Sequence, residues 1–521
     1  MLPAAALGSQ AVDRPVGAGH PSAVHWADRT AAELLELAPR HTISTGISPS
    51  GQFHLGHLRE IMTADAVFRA LGARGAAVDF HFFSDNLDPL RKIYPFLNPE
   101  RFAAEVGKPL CAVIAPQGEG SYADYFTAPF LAALEQLRIR PQVLYADQVY
   151  ASGRMNRVVL LALAGRDRIA AILKQATGRE VAADWSPFNV ICEACGRLNR
   201  TVVTGFDPRR ETVAYRCACG AAGERPIAGA GKLTWRADWP ARWAELGVSF
   251  EPFGKDHATT GGSYETGALI CREVFQAEPP KPLVYEWIRL AGQGDMSSSK
   301  GNVLSIEAML EVVPPEVLRY LIVRTPPQKS ISFDPGLPLL KLVDEVDDLY
   351  AAGRDARSAE LSSAGGFVPV GVPFRHVVTV TQITDDPQAA AGILAGQGYQ
   401  VDPATLARRM AQARRWLERF APEEVRFSLQ PQLPAAARSL SPPQRAALAA
   451  LAASLKPDWS GEQIHKLIYD LAQEHGLPAT EIFSAAYLAL LGKPRGPRLG
   501  MFLALLDREF VVARLKQAAA A

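Results

Sequence analysis

A doubly wound parallel α/β sheet carrying a cysteine-bearing insertion, followed by an all-α domain, is the fold class that this 521-residue sequence predicts. Three observations carry it. Short apolar runs alternate with amphipathic helical patterns through the first part of the chain, four of the six cysteines fall in one short segment, and beyond about residue 335 strand patterns almost vanish. The length also exceeds the roughly 250–300 residues that one core usually fills, so several domains are expected.

Residues 1–23 are small and Gly/Pro-rich, without the basic leader and apolar run of a signal peptide, and read as a flexible N-terminal arm. "HTISTGI" (41–47) reads as a buried strand and "HLREIMTADAVFRALG" (57–72) as an amphipathic helix ending at Gly72. "AAVDFHFFSD" (76–85), "PLCAVIAP" (109–116) and "RPQVLYAD" (140–147) are further strand-like runs, with a helix at 125–139 between the last two. In such sheets ligands sit outside the carboxyl ends of the strands. Residues 184–236 break the alternation and read as an insertion, after which 284–292 and 317–325 resume it. An α/β domain is therefore expected over 24–334. Capped helical patterns at 339–356, 402–420, 441–455, 460–476 and 478–492 then place a helical domain at 335–521, whose most loop-like stretch is 360–373.

Composition excludes little. A hydrophobic content of 48% with 21% charged residues fits a soluble globular chain, and 55 basic against 54 acidic residues neither indicate nor exclude a nucleic-acid partner. No apolar run approaches the roughly 18 residues of a membrane span. Six cysteines in so long a chain are no disulfide framework, and their clustering suggests metal in a reducing cytoplasm.

Four stretches carry chemistry. In "TGISPSGQFHLGHLRE" (45–60), His54 and His57 lie three apart at a helix start, behind a Gly-rich bend. They could hold a phosphate chain at the helix N-terminus, bind a metal, or simply pack the turn. In "GDMSSSKGNVLS" (294–305), Lys300 stands among three serines and flanking glycines, a point charge suited to a phosphate in a transition state. The plainer reading is a solvated Gly/Ser loop. Cys192-x-x-Cys195 and Cys217-x-Cys219, each pair followed by glycine, offer four thiolates for a structural tetrahedral Zn²⁺. Cys111 and Cys271 read as buried core thiols. The basic stretches 408–420 and 491–500 suit RNA phosphates, or are solvated faces with salt bridges.

"HLGH" at the first helix, with "MSSSK" roughly 240 residues later, resembles the paired signatures of class I aminoacyl-tRNA synthetases, and "MSSSKG" resembles the variant of the class I lysyl-tRNA synthetases. "VHWAD" (24–28), "GISPSG", "DNLDPLRK" (85–92), "WRADWPARW" (235–243), "FGKDHATTGGSYETG" (253–267), "YEWI" (285–288) and "FDPGL…LVDEVD" (333–347) extend the resemblance over nearly the whole chain from residue 24. It implies a Rossmann catalytic domain with a zinc-bearing insertion and a helical anticodon-binding domain. It also implies that lysine and ATP, the latter with Mg²⁺, give lysyl-adenylate and pyrophosphate, and that lysine then passes to lysine tRNA, in an enzyme expected to be monomeric. Activation that needs bound tRNA is a further implication.

On this resemblance His54, His57 and Lys300 are the catalytic residues, and Met296, Ser297, Ser298 and Ser299 shape the ATP loop. Asp256 would hold the ribose, its alternative role being to cap the following helix. The lysine pocket maps onto Gly46, Ser48, Trp235, His257 and Tyr285, and a buried ammonium also asks for a carboxylate, for which Asp85 or Asp88 are candidates, the alternative role of either being to orient the loop. The chain departs from the family's pattern at Ser48, where Thr is common, and at Ser84-Asp85-Asn86, where Trp-Asp-Asp is usual. Two other readings were open. A nucleotidylyltransferase that works without tRNA would lack so large a helical tail. A synthetase-like regulator would have lost a histidine or Lys300.

Overall fold

The computed structural model describes residues 24–178, 180–292, 294–295, 303–353, 355–457 and 459–521. The expected arm over 1–23 and the residues Met296 to Lys300 lie outside them. Strands β1 (Arg40–Ile47), β2 (Ala77–Ser84) and β3 (Gln142–Tyr145) come first. An insertion follows with β4 (Phe188–Val190), β5 (Thr201–Asp207), β6 (Thr212–Cys217), β7 (Ala222–Pro226) and β8 (Gly231–Leu233). The chain then returns with β9 (Phe250–Gly254) and β10 (Lys281–Tyr285).

Five of these strands form one parallel sheet in the order β10-β9-β1-β2-β3. The order reverses between β1 and β9, and that switch point opens a crevice at the carboxyl ends of both strands. Helix α1 (Trp26–Leu35) leads into β1, and helix α2 (Leu55–Gly72) makes the first crossover. Leu55, Leu58, Ile61, Met62, Val67 and Leu71 of α2 are buried, because the helix is covered by the sheet on one side and by the helix Pro315–Val323 on the other. Its Arg59 is buried as well, and donates to the carbonyls of Ile322, Pro326, Pro327 and Lys329 at 3.2–3.3 Å. One guanidinium thus ties together four carbonyls, three of which also accept from backbone N–H groups.

Strand β4 pairs antiparallel with β8 and so closes the insertion at its neck, while β5, β6 and β7 form a separate antiparallel sheet. Beyond β10, a small sheet of β11 (Ile288–Leu290), β12 (Gly294–Asp295) and β13 (Ile331–Phe333) flanks the segment that contains Lys300. The run 109–116 is not a strand. It forms turns with isolated bridges from Pro89 to Pro109 and from Ile114 to Ser121, and Leu110 and Val113 pack into a small core of their own with Leu90, Phe102 and Tyr122. Two prolines without N–H groups bracket the run, so its apolar content signalled burial and not ladder pairing.

After β13 the described chain is helical, with long helices at Leu337–Ala352, Pro403–Arg419, Pro442–Ser454, Gly461–Glu474, Ala479–Leu491 and Arg508–Ala520. One apolar core runs from Ile43 in the sheet through Leu318 to Val343 and Trp416. The last helices, from Leu448 to Leu515, build another.

Candidate functional site

The histidine turn is built by mutual capping. His54 is the N-cap of α2, and its Nδ1 accepts from the N–H of Gly56 at 3.0 Å. The His57 Nδ1 accepts in turn from the N–H of His54 at 3.2 Å, and the two ring centroids are 4.0 Å apart. A side chain at Gly56 would meet the His54 ring at 2.7 Å, so glycine is needed there. Burial lowers the His54 pKa to about 4, and burial beside His54 holds His57 well below its usual value. Both rings are therefore neutral at pH 7. With each Nδ1 serving as acceptor, the one ring proton is carried on Nε2, which leaves two N–H donors of the kind that suits a phosphate.

The segment containing Lys300 is anchored at this turn. The N–H of Leu55 donates to the Leu304 carbonyl at 3.3 Å, and His54 forms an antiparallel bridge with Ser305. At its other end β12 pairs with β11. The residues that follow the second sequence signature thus contact the first.

A residue that the sequence reading missed joins the amino-acid side of the crevice. Glu60, one turn beyond His57 on α2, accepts from the Gly46 N–H at 3.0 Å and from the Tyr285 hydroxyl at 3.0 Å. Burial pushes its carboxyl up to about 8, with Glu251 and Asp256 adding to the shift and its two donors opposing it. The three-residue step from His57 to Glu60 was the available signal, since it puts both on one helical face. Ser48 lies just past β1, half-buried, its carbonyl accepting from the Ser50 N–H at 2.8 Å.

Trp235 begins the helix Trp235–Leu246, stacks on Trp239 with centroids 5.1 Å apart, and donates to the Ser263 hydroxyl at 3.3 Å. The His257 ring packs against both indoles, at 5.9 and 5.4 Å. Beneath this aromatic wall Glu251 accepts from the Trp239 and Trp243 indoles at 3.0 and 2.7 Å, and burial raises it to about 7. Asp256 lies in a short 3-10 turn after β9, 3.5 Å from His257, with its side chain half exposed. It does not cap the next helix, whose N-cap is Gly262.

Asp85 and Asp88 are engaged elsewhere. The Lys232 ammonium lies 2.7 Å from Asp85, 2.5 Å from Asp88 and 3.4 Å from Asp238, and Arg242 pairs with both Asp85 and Asp238. Arg242 also lies over the Phe83 ring, 3.9 Å from its centroid. Burial alone would raise Asp85, but Arg242 and Lys232 outweigh it and hold the carboxyl at about 2. The chain's own cations thus occupy both of the carboxylates expected to meet a substrate ammonium. Asn86, at the departure from the family pattern, exchanges hydrogen bonds with Asp147, 2.7 Å to its side chain and 3.0 Å from its N–H.

Cys192, Cys195, Cys217 and Cys219 bring their sulfurs within 4.8 Å of one another. The Cys192–Cys219 and Cys195–Cys217 separations are 3.6 and 3.7 Å, close to the edge of about 3.8 Å that a tetrahedron of Zn–S bonds requires. Burial opposes ionisation of Cys192, yet the N–H groups of Cys195 and Ala194 outweigh it and hold that thiol at about 7. Burial pushes Cys217 up to about 12. The donor set and spacing fit zinc, and this is the one such ligand grouping among the described residues.

In the helical part, Arg409 is buried against Asp347 at 2.9 Å, while Arg414, Arg415 and Arg419 pair with Asp385, Glu418 and Glu311. These four arginines of the basic stretch thus have partners within the chain. No helix among the described residues is long and apolar enough to cross a membrane.

Comparison with known proteins falls on the same residues. Residues 24–364 match the model of the "tRNA synthetases class I (K)", and 407–519 match an anticodon binding domain. The chain is 46% identical to a lysine–tRNA ligase of Methanosarcina barkeri (strain Fusaro), over 95% of this chain and 98% of that protein. It is equally similar to a lysine–tRNA ligase of Archaeoglobus fulgidus, over 95% and 100%. A lysine–tRNA ligase of Thermoplasma acidophilum is 40% identical over 94% and 98%.

Proposed function

This chain belongs to the class I (K) tRNA synthetases, and we infer that it ligates lysine to its tRNA in a crevice at the carboxyl ends of β1, β9 and β10. The observation that carries the residue assignment is Glu60, a carboxyl buried between Gly46 and Tyr285 one helical turn from the neutral histidine pair. It offers the single negative charge a buried ammonium needs, and the chain's own cations do not use it. Gly46, Ser48, Trp235, His257 and Tyr285 form the rest of the lysine pocket. The indole of Trp235 walls the aliphatic stem.

ATP lies across the switch point. Asp256 accepts from its ribose hydroxyls, and His54 and His57 donate Nε2–H to its phosphates. Lys300, with Met296, Ser297, Ser298 and Ser299, supplies further contacts to the phosphates. Bound with the nucleotide, Mg²⁺ would supply charge neutralisation at the phosphates. A lysine carboxylate oxygen attacks the α-phosphorus, the bond to the β-phosphate breaks, and pyrophosphate leaves. A hydroxyl of the tRNA's terminal ribose then attacks the carbonyl carbon and AMP leaves. No group of the protein is covalently altered, so rate comes from positioning and from cations and N–H donors that meet developing charge.

The cysteine quartet holds a structural zinc, a thiolate site that suits a reducing cytoplasm. ATP–pyrophosphate exchange, run with each amino acid and with or without tRNA, tests the reading. Lysine-dependent exchange that falls about 100-fold or more in Lys300→Ala is expected. Exchange driven by glutamate or arginine would overturn the lysine assignment, and an unaltered Lys300→Ala enzyme would overturn the role of that residue.

A further inference from the structure

Beside the histidine turn lies a cleft of about 560 Å³ that the two-step reaction on lysine and ATP leaves unused. Its lining includes Gln52 and Phe53 from the turn, Phe96, Tyr125 and Phe126 from the crossover between β2 and β3, and Glu307 from just beyond the Lys300 segment. Phe96 and Tyr125 are 44% and 38% exposed, among only eight large apolar side chains so exposed in the described residues. Solvent-exposed rings gathered in one cleft, next to a reaction centre, need a partner that offers flat apolar faces.

The rings are held for such contact. Phe96 stacks on Tyr94 with centroids 5.6 Å apart and planes 8° from parallel, and Phe126 meets Phe96 edge-on at 5.9 Å and Tyr125 at 5.0 Å. Phe53 at the cleft's inner end is 5.2 Å from the His57 ring. The exposed Lys92 lies 5.8 Å from the Tyr94 ring and adds a cation beside the stack. Glu307 contributes a carboxylate oxygen, Oε2, that is buried and has no hydrogen-bond partner among the described residues. It is an acceptor in want of a donor.

We propose that this cleft stacks the unpaired bases at the 3′ end of tRNA and delivers the terminal ribose to the histidine turn. The inference rests on the lysine–tRNA ligase reading. That reaction requires a single-stranded RNA end at the histidine turn, and unstacked bases on aromatic platforms are how proteins grip single strands. The exocyclic amino groups of cytosine and adenine supply the donor that Glu307 Oε2 lacks, and Lys92 answers the backbone phosphate.

The test compares binding of intact lysine tRNA with the same tRNA lacking its three unpaired 3′ nucleotides, in the full-length protein and in the double variant Phe96→Ala/Tyr125→Ala. In the unmodified protein, trimming should weaken binding roughly tenfold. The double variant should bind intact tRNA as weakly as the unmodified protein binds the trimmed one, and trimming should then change little. Phe96→Leu/Tyr125→Leu, which keeps apolar bulk but removes the ring faces, should behave alike and guards against a folding defect. A trimming penalty that persists in full in both variants would overturn the proposal. So would a rise in KM for ATP in place of the tRNA effect, which would make the cleft a nucleotide site. Failure of the unmodified protein to charge tRNA with lysine would overturn the ligase reading itself, and this inference with it.

Discussion

Glu60 has its carboxyl held at about 8, so at pH 7 it is mostly neutral, whereas pairing with a lysine ammonium requires the carboxylate. Lysine binding must therefore expel a proton. Affinity for lysine is expected to rise with pH up to about 8, as isothermal titration would read it, and Glu60→Gln should abolish that rise and weaken lysine roughly 10- to 100-fold. The stability effect has the opposite sense. A carboxyl raised from 4.5 to about 8 stabilises the fold fully below 4.5 and loses that contribution as the pH climbs to about 8. Glu60→Gln should thus gain in melting temperature relative to the unmodified protein at pH 9 and not at pH 5. His54 titrates the other way, since its value of about 4 stabilises the fold above 6.5 and is lost as the pH falls toward 4. His54→Ser keeps an N-cap oxygen, so its melting temperature at pH 7.5 should stay close to the parent's while lysine-dependent exchange falls about 100-fold.

The cysteine insertion illustrates what an element needs beyond its own residues. Its β5-β6-β7 sheet is small, and Val213 and Tyr215 of β6 are its buried side chains, packed beside Cys192 and Cys217. A metal at the four sulfurs would supply much of its cohesion. Elemental analysis should find close to one zinc per chain, and Cys217→Ser should lower that content and open residues 193–226 to proteolysis. The neck strand β8 also carries Lys232, which ties the insertion to Asp85 at the end of β2. Asp85 in turn pairs with Arg242, whose guanidinium lies 5.9 Å from the Trp235 ring, so disorder in the insertion would reach the wall of the lysine pocket, and KM for lysine in Cys217→Ser should rise more than KM for ATP. The run 109–116 shows the limit of element-level patterns. Its apolar content led to the expectation of a strand, but whether an apolar run pairs in a ladder or packs as turns depends on neighbours that the run does not specify.

Across the whole molecule, the sheet and the first helices beyond it share one core, and Arg319 is among the groups that lock them. It is fully buried, pairs with Asp65 of α2 at 2.5 Å, and donates to the carbonyls of Leu137 and Leu361 at 3.0 and 2.7 Å. Arg319→Ala would remove a donor from the carbonyls of Leu137 and Leu361 and leave Asp65 with Arg69 alone, and urea unfolding should show a loss of about 3 kcal/mol. The sequence by itself determined the strand and helix order around the first crossover, the start of α2 beside His54 and His57, and the cysteine quartet. Those features arise from side-chain periodicity, capping and turn chemistry, which act within a few residues. Only the tertiary structure decided which carboxylate stands free. Lys232 reaches Asp85 from 147 residues away, and Tyr285 reaches Glu60 from 225. Such pairings follow from strand order and from the desolvation of charges inside a packed crevice, and neither is written in the spacing of any motif.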